Sequence, residues 1–182
     1  MKTRFSLVCL FACFAFGIFS SCNKLKDAIK FNIPLQTADV NFTISPQQVG
    51  TQTLAGFQVG VNIDSILKAE NSSLSLSNIK SVKITSCTIT AQNATNTDNF
   101  ANLSACQFSL AGSSNTYTTI ASVASNPDTY AATLTIPVSD VELKDYFTST
   151  LLKYQLSGTV RRATTTTLNC TATVKFNIEA GL

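Results

Sequence analysis

Histidine is missing from all 182 residues of the chain, and so is tryptophan. Without an imidazole there is no Ser-His-Asp or Cys-His nucleophile system, no His-ligated zinc site and no general base of ordinary pKa near neutrality. Without tryptophan, the Cys…Trp…Cys signature of antibody-type domains cannot be written. Charge is scarce as well: 13% of residues, with 13 Lys plus Arg against 10 Asp plus Glu. Two of those bases, Lys2 and Arg4, stand at the very start, so the remainder balances to within one charge. That balance argues against nucleic acid as a partner, which needs a concentrated basic face. Methionine occurs only as Met1, and no two cysteines have CxxC spacing. A metal or thioredoxin-like role for the cysteines has no motif to rest on. EF-hand spacing is missing too, although "NATNTDN" at 93–99 is rich enough in oxygen to suggest a calcium loop.

One long apolar run is present, and it opens the chain. Lys2 and Arg4 precede residues 5–19, which include five phenylalanines; Ser20 and Ser21 then lead into Cys22. A positive start, a short apolar core and small residues at a cut describe a secretory signal over 1–21. The run falls short of the roughly 20 residues that span a bilayer, and Asn23–Lys24 ends it. "F-S-S-C" at 19–22 resembles the lipobox of bacterial lipoproteins, and its Ser-Ser-Cys ending is similar to lipoproteins of the Bacteroidota. Phe19 stands where leucine is usual. The resemblance covers the leader alone. It implies a diacylglyceryl thioether on Cys22, loss of residues 1–21, and a bacterial outer-membrane address with the membrane as partner. Each buried methylene adds roughly 0.8 kcal/mol, so two or three chains make a durable anchor. Residues 22–30 then form a lipidated tether carrying Lys24, Lys26 and Lys30, either solvated or set against anionic headgroups. No acidic run follows Cys22, which under this resemblance favours the periplasmic face over the cell surface. Plain secretion, with Cys22 as a thiol or disulfide partner, is the alternative.

The 161 residues that follow the leader suffice for one domain, placed at 31–182. They are rich in Thr, Ser, Asn, Val, Ile and Phe, which suit a pleated surface. In "LNCTATVKFNIEA", Leu168, Cys170, Ala172, Val174, Phe176 and Ile178 take one face and polar residues the other. This strict period of two predicts a half-buried strand. Similar alternation is carried by Phe31–Ile33–Leu35, Val40–Phe42–Ile44, Phe57–Val59–Val61–Ile63, Cys106–Phe108–Leu110, Ile120 with Val123, Leu134–Ile136–Val138, and Leu152–Tyr154–Leu156–Gly158–Val160. Between Ile84 and Cys87 the apolar set changes parity, which predicts a β-bulge near Thr85–Ser86. The last two strands flank "RRATTTT" and read as a hairpin with a polar tip; Arg161 and Arg162 there serve either as an anion site or as a solvated strand end.

Two short helices are predicted between strands. "SDVELKDYF" at 139–147 has Ser139 and Glu142 at capping-box spacing, with Leu143, Tyr146 and Phe147 on one face. "DSILKAEN" at 64–71 offers Asp64 as cap. About nine strands and two helices predict an all-β fold, an antiparallel β-sandwich immunoglobulin-like in shape, with an eight-stranded barrel as competitor.

Cys87, Cys106 and Cys170 all fall on inward faces. Export permits a disulfide, Cys87–Cys106 first, with Cys87–Cys170, Cys106–Cys170 and three reduced thiols as alternatives. Asp64, Asp98, Asp128, Asp140, Glu142 and Asp145 are the carboxylates a glycosidase would have to use, but turns and helix ends account for them more simply. Triplets of Asn-x-Ser/Thr type start at Asn41, Asn71, Asn93, Asn102 and Asn169, as composition alone would produce. The expectation is a non-catalytic envelope lipoprotein without cofactor or metal, serving as an interaction or structural module for an envelope protein or glycan. Two alternatives stand beside it. One is a carrier with an apolar cavity lined by Phe42, Phe57, Phe108 and Phe176; the other is a fibre or pilus-like subunit exchanging "KFNIPLQ".

Overall fold

The computed structural model describes residues 29–36, 39–113 and 116–182. Among the described residues nine strands run in chain order: β1 Lys30–Gln36, β2 Val40–Ile44, β3 Gly50–Gly60, β4 Ile79–Ala91, β5 Leu103–Ala111, β6 Thr118–Val123, β7 Thr133–Thr135, β8 Leu151–Val160 and β9 Leu168–Gly181. They form two antiparallel sheets. The first has the order β1-β9-β4-β7, with β2 also paired to β9; the second has the order β3-β8-β5-β6. Inward side chains of both sheets meet in one core, so the fold is an antiparallel β-sandwich and not a closed barrel.

β9 is the hub. It pairs with β1 over its C-terminal half, with β2 over its N-terminal half and with β4 along its other edge. Leu168, Cys170, Ala172, Val174, Phe176 and Ile178 are all buried, as their alternation requires. The β4–β9 register shifts between Ile84 and Ser86, which is the expected bulge, and Val82, Ile84, Cys87 and Ile89 all reach the core. A second bulge, between Thr53 and Ala55 of β3, hid the first half of that strand from a period-two reading. Val61 and Ile63, expected as its continuation, lie beyond it; Ile63 opens a helix.

α1 spans Ile63–Glu70 and buries Ile63 and Leu67, one turn apart. Its cap is Asn62, whose Oδ1 accepts from Ser65 N at 3.1 Å, rather than the expected Asp64. Asp64 sits in the first turn and pairs with Lys68 at 2.5 Å. The second expected helix begins late: a 3-10 turn covers Lys144–Thr148, after Leu143. Ser139 is not its cap, because the turn starts five residues further on with Leu143 at the cap position, and Ser139 N instead donates to Ile120 O. Glu142 Oε1 takes the free amides instead, accepting from Leu143 N and Lys144 N at 3.0 Å and from Val82 N at 2.8 Å. Leu143 and Phe147 are buried beneath it.

The expected β8–β9 hairpin does not form, because the two strands belong to different sheets. Residues 161–167 cross the sandwich instead. On one flank the sheets are joined where the chain leaves β7: Ala121 bridges Val138, and Ser122 N and Ser139 N bond Pro137 O and Ile120 O. This leaves Val138 40% exposed, against the expectation that it faces inward. On the other flank β3 borders β2 without pairing to it.

Candidate interaction surface

Strand directions sort the loops into two ends. β1 starts beside the end of β9, with Lys30 opposite Gly181, so the chain enters at the end that also carries α1 and the 3-10 turn after Leu143. At the opposite end lie 45–49, 92–102, 124–132 and 161–167, since Gly50 and Leu103 both pair with Val160, Val123 pairs with Cys106, and Ala91 with Cys170. Cys22, Lys24 and Lys26 fall outside the described residues. Lys30 pairs with Glu179 at 2.8 Å.

The far loops are held by buried polar side chains. Asp98 is 2% exposed; its carboxylate accepts from Thr165 N at 2.8 Å and from the hydroxyls of Thr165 and Thr166 at 3.0 Å. The backbone bond from Thr165, reinforced by hydroxyls, holds its pKa below the usual carboxylate range against the opposing pull of desolvation. This is why the threonine-rich segment crosses between sheets rather than forming a loose tip. Asn102 Nδ2 donates to Thr97 O, Arg162 O and Ala163 O, and Asn99 Oδ1 accepts from Ala101 N and Ala131 N. Asn126 Nδ2 donates to Phe100 O and Leu103 O. Arg161 and Arg162 are part of this scaffold. Arg161 donates to Leu103 O and Asn126 O, while Arg162 donates to Ala101 O and pairs with Asp128 at 2.5 Å. Asp98 and Asp128, expected as turn residues, thus tie loops together. Nothing in the sequence marked the buried amides beyond the Asn99/Asn102 spacing, which closes a small capping box.

Rigid loops present what projects from them. Tyr130 and Val49 are 56% and 66% exposed on this end. Beside it, each sheet carries an uncharged groove. On the second sheet, Thr51, Gln107, Ser122, Ser157 and Thr159 line about 340 Å³. On the first, Asn41, Thr43, Gln92, Asn169 and Thr171 together with Phe42 and Cys170 line about 430 Å³, with Gln92 donating to Thr171 and Thr171 to Asn41.

The expected disulfide is not made. Cys87, Cys106 and Cys170 are free, buried thiols. Burial pushes the Cys87 thiol up to about 12, with a smaller contribution from Cys106, and pushes Cys106 to about 11 and Cys170 to about 12. Protonated and enclosed, they pack as small apolar groups. The phenylalanines expected around a cavity divide into two groups. Phe42, Phe57 and Phe108 join a stack with Tyr154, at 4.8 Å for Phe42–Phe57 and 5.4 Å for Phe108–Tyr154. Phe176 instead meets Phe147 edge-on at 4.9 Å. Of the remaining carboxylates, Asp140 pairs with Lys83 at 2.8 Å and Asp145 sits in the 3-10 turn. Among the described residues no cluster of three or more Cys, Asp or Glu is placed to hold a metal ion.

No family model matches this chain. No curated protein matches it either. Two solved structures show similarity: infectious bursal disease virus Gt strain, 14% identical at TM-score 0.37, and Desmodium yellow mottle tymovirus, 12% identical at TM-score 0.28. Each alignment covers 85% of this chain, with 34% of the first and 89% of the second. The chain therefore spans about a third of the length of the first of them.

Proposed function

We propose that the protein is a non-catalytic lipoprotein, anchored in the bacterial outer membrane through Cys22 and presenting its sandwich as an interaction module, on the periplasmic face. The observation that carries this reading is the placement of the chain's entry opposite the rigid loop cluster. Lys30 stands eight positions after Cys22, a reach of about 25 Å when extended. An anchor at that position holds the α1 end towards lipid and turns Tyr130, Val49 and both uncharged grooves outward. The partner is an envelope protein or glycan, met by hydroxyl and amide groups rather than by charge. A non-catalytic role is supported by Asp64, Asp98, Asp140 and Glu142, whose carboxylates are engaged by loop amides, hydroxyls and lysines.

Mass spectrometry of the native protein and a Cys22→Ser variant tests the anchor. The native N-terminus is expected to be a diacylated Cys22, and the variant to keep its leader or leave the membrane on washing. Identical, unacylated termini in both would overturn the reading.

A further inference from the structure

The groove on the first sheet has a fixed hydrogen-bond polarity. Gln92 Nε2 donates to Thr171 Oγ1 at 3.3 Å, and Thr171 Oγ1 donates in turn to Asn41 Oδ1 at 2.8 Å. On the second sheet, by contrast, the Thr51 and Thr159 hydroxyls can each donate to the other. The relay sets the orientation of both amides, since each has one atom engaged by Thr171. Asn41 Nδ2 is left as a donor and Gln92 Oε1 as an acceptor, one at each end, with no bonded partner among the described residues. The Asn169 side-chain amide and the Thr43 hydroxyl line the same groove, and Phe42 and Cys170 supply its apolar lining. Asp39, two residues before Asn41, is already engaged by Thr173 Oγ1 at 2.6 Å. The floor is the β2–β9 ladder, with Asn41 opposite Thr171, Phe42 opposite Cys170 and Thr43 opposite Asn169. Backbone groups between those strands pair with each other, so an extended peptide lying in the groove finds no ladder to join.

We infer that this groove binds an N-acetylated amino-sugar unit of a neutral glycan. The occupant follows from the polarity of the relay. An acetamide group carries one N–H and one C=O, and calls for one acceptor and one donor held apart; Gln92 Oε1 and Asn41 Nδ2 are that pair. The acetamide methyl meets the Phe42 and Cys170 lining, and the sugar hydroxyls fall to Asn169 and Thr43. About 430 Å³ lies within the size range of small-ligand sites. The inference names the glycan as the partner left open above, and it rests on that reading for its setting. Asn41, Gln92 and Asn169 belong to the half of the first sheet remote from Lys30, so an anchored molecule holds the groove away from lipid.

The protein as isolated from cells, in non-ionic detergent, is titrated with the trisaccharide of N-acetylglucosamine. Binding is expected with a dissociation constant of about 1 mM, as suits an open groove with few polar contacts. Cellotriose, which has hydroxyls where that probe has acetamides, is expected to bind about tenfold more weakly or worse, because the Asn41 donor and the Gln92 acceptor lose their partners. Asn41→Asp keeps the acceptor that Thr171 uses and removes the donor. It is expected to weaken the N-acetylated probe about tenfold with an unchanged thermal melt, and Ser157→Ala on the second sheet to change nothing. Gln92→Ala replaces Asn41→Asp should the latter fail to fold, with the same expected loss. No binding up to about 10 mM, equal binding of the two sugars, indifference to the substitution, or tighter binding of acetyl-trialanine amide would overturn the inference. The mass of the N-terminus is read on the same preparation. Acylated protein that ignores the sugar overturns this inference alone, whereas unacylated protein that binds it overturns the anchor and leaves the groove its ligand.

Discussion

Asp98 shows how one side chain decides the course of a loop. It holds 161–167 across the sandwich through Thr165 and Thr166. Asp98→Asn keeps the shape but loses a charged acceptor buried among donors, and is expected to cost about 2 kcal/mol in a urea melt. The pH dependence follows from its lowered pKa. A carboxyl more acidic in the folded than in the unfolded chain contributes stability above the unfolded pKa of about 3.9, lost as pH falls through the lower folded value. The native protein should therefore lose more stability than Asp98→Asn between pH 5 and the acid limit, read from melts at each pH. At the three buried cysteines, thiols raised to about 11–12 offer almost no thiolate at pH 8. Iodoacetamide is expected to leave them unmodified in the folded protein and to label all three after denaturation, as intact mass would show.

Among elements, strands were legible wherever a period of two ran unbroken, as along β9 from Leu168 to Ile178. The β4 bulge was legible because apolar residues stand on both sides of it. The β3 bulge was not, since Thr51, Gln52 and Thr53 supply no apolar pattern to shift. Sheet membership was opaque for a different reason: alternation shows that β8 and β9 each bury a face but not against which neighbour. The crossover that separates them depends on Asp98, 67 residues away from Thr165. Local spacing does not specify a cap where a tertiary partner competes with it, as Val82 N does for Glu142. Deleting Thr85, the unpaired residue of the bulge, should join Val82, Ile84, Cys87 and Ile89 in one unbroken period of two with the same β9 partners. A cooperative unfolding transition by circular dichroism is therefore expected to survive it, whereas deleting Thr88 should turn Cys87 or Ile89 out of the core and abolish the transition. Gly158 faces Ala105 O, which a Cβ would approach to 2.7 Å. Gly158→Ala is thus expected to cost about 1–3 kcal/mol in the same assay.

For the whole molecule, orientation is the testable quantity. With Cys22 in lipid, a cysteine at Tyr130 should react with a bulky maleimide on lipoprotein-bearing vesicles faster than one at Lys68, which lies on the entry end. Equal rates would contradict the upright placement. That entry end also holds the pairing of Lys30 with Gly181, residues about 150 positions apart along the polypeptide. β9 receives β1, β2 and β4, so the first sheet has no centre until Leu168–Gly181 exists. A polypeptide delivered across a membrane leading end first would carry its earliest strand without a mate for almost the whole of its passage. Closure of such a wide loop is slow by its length alone. Under the export proposed above, maturation is timed by its completion, and a product truncated before Leu168 would leave β1 and β2 without a mate and β4 with only the three residues of β7, a substrate for degradation.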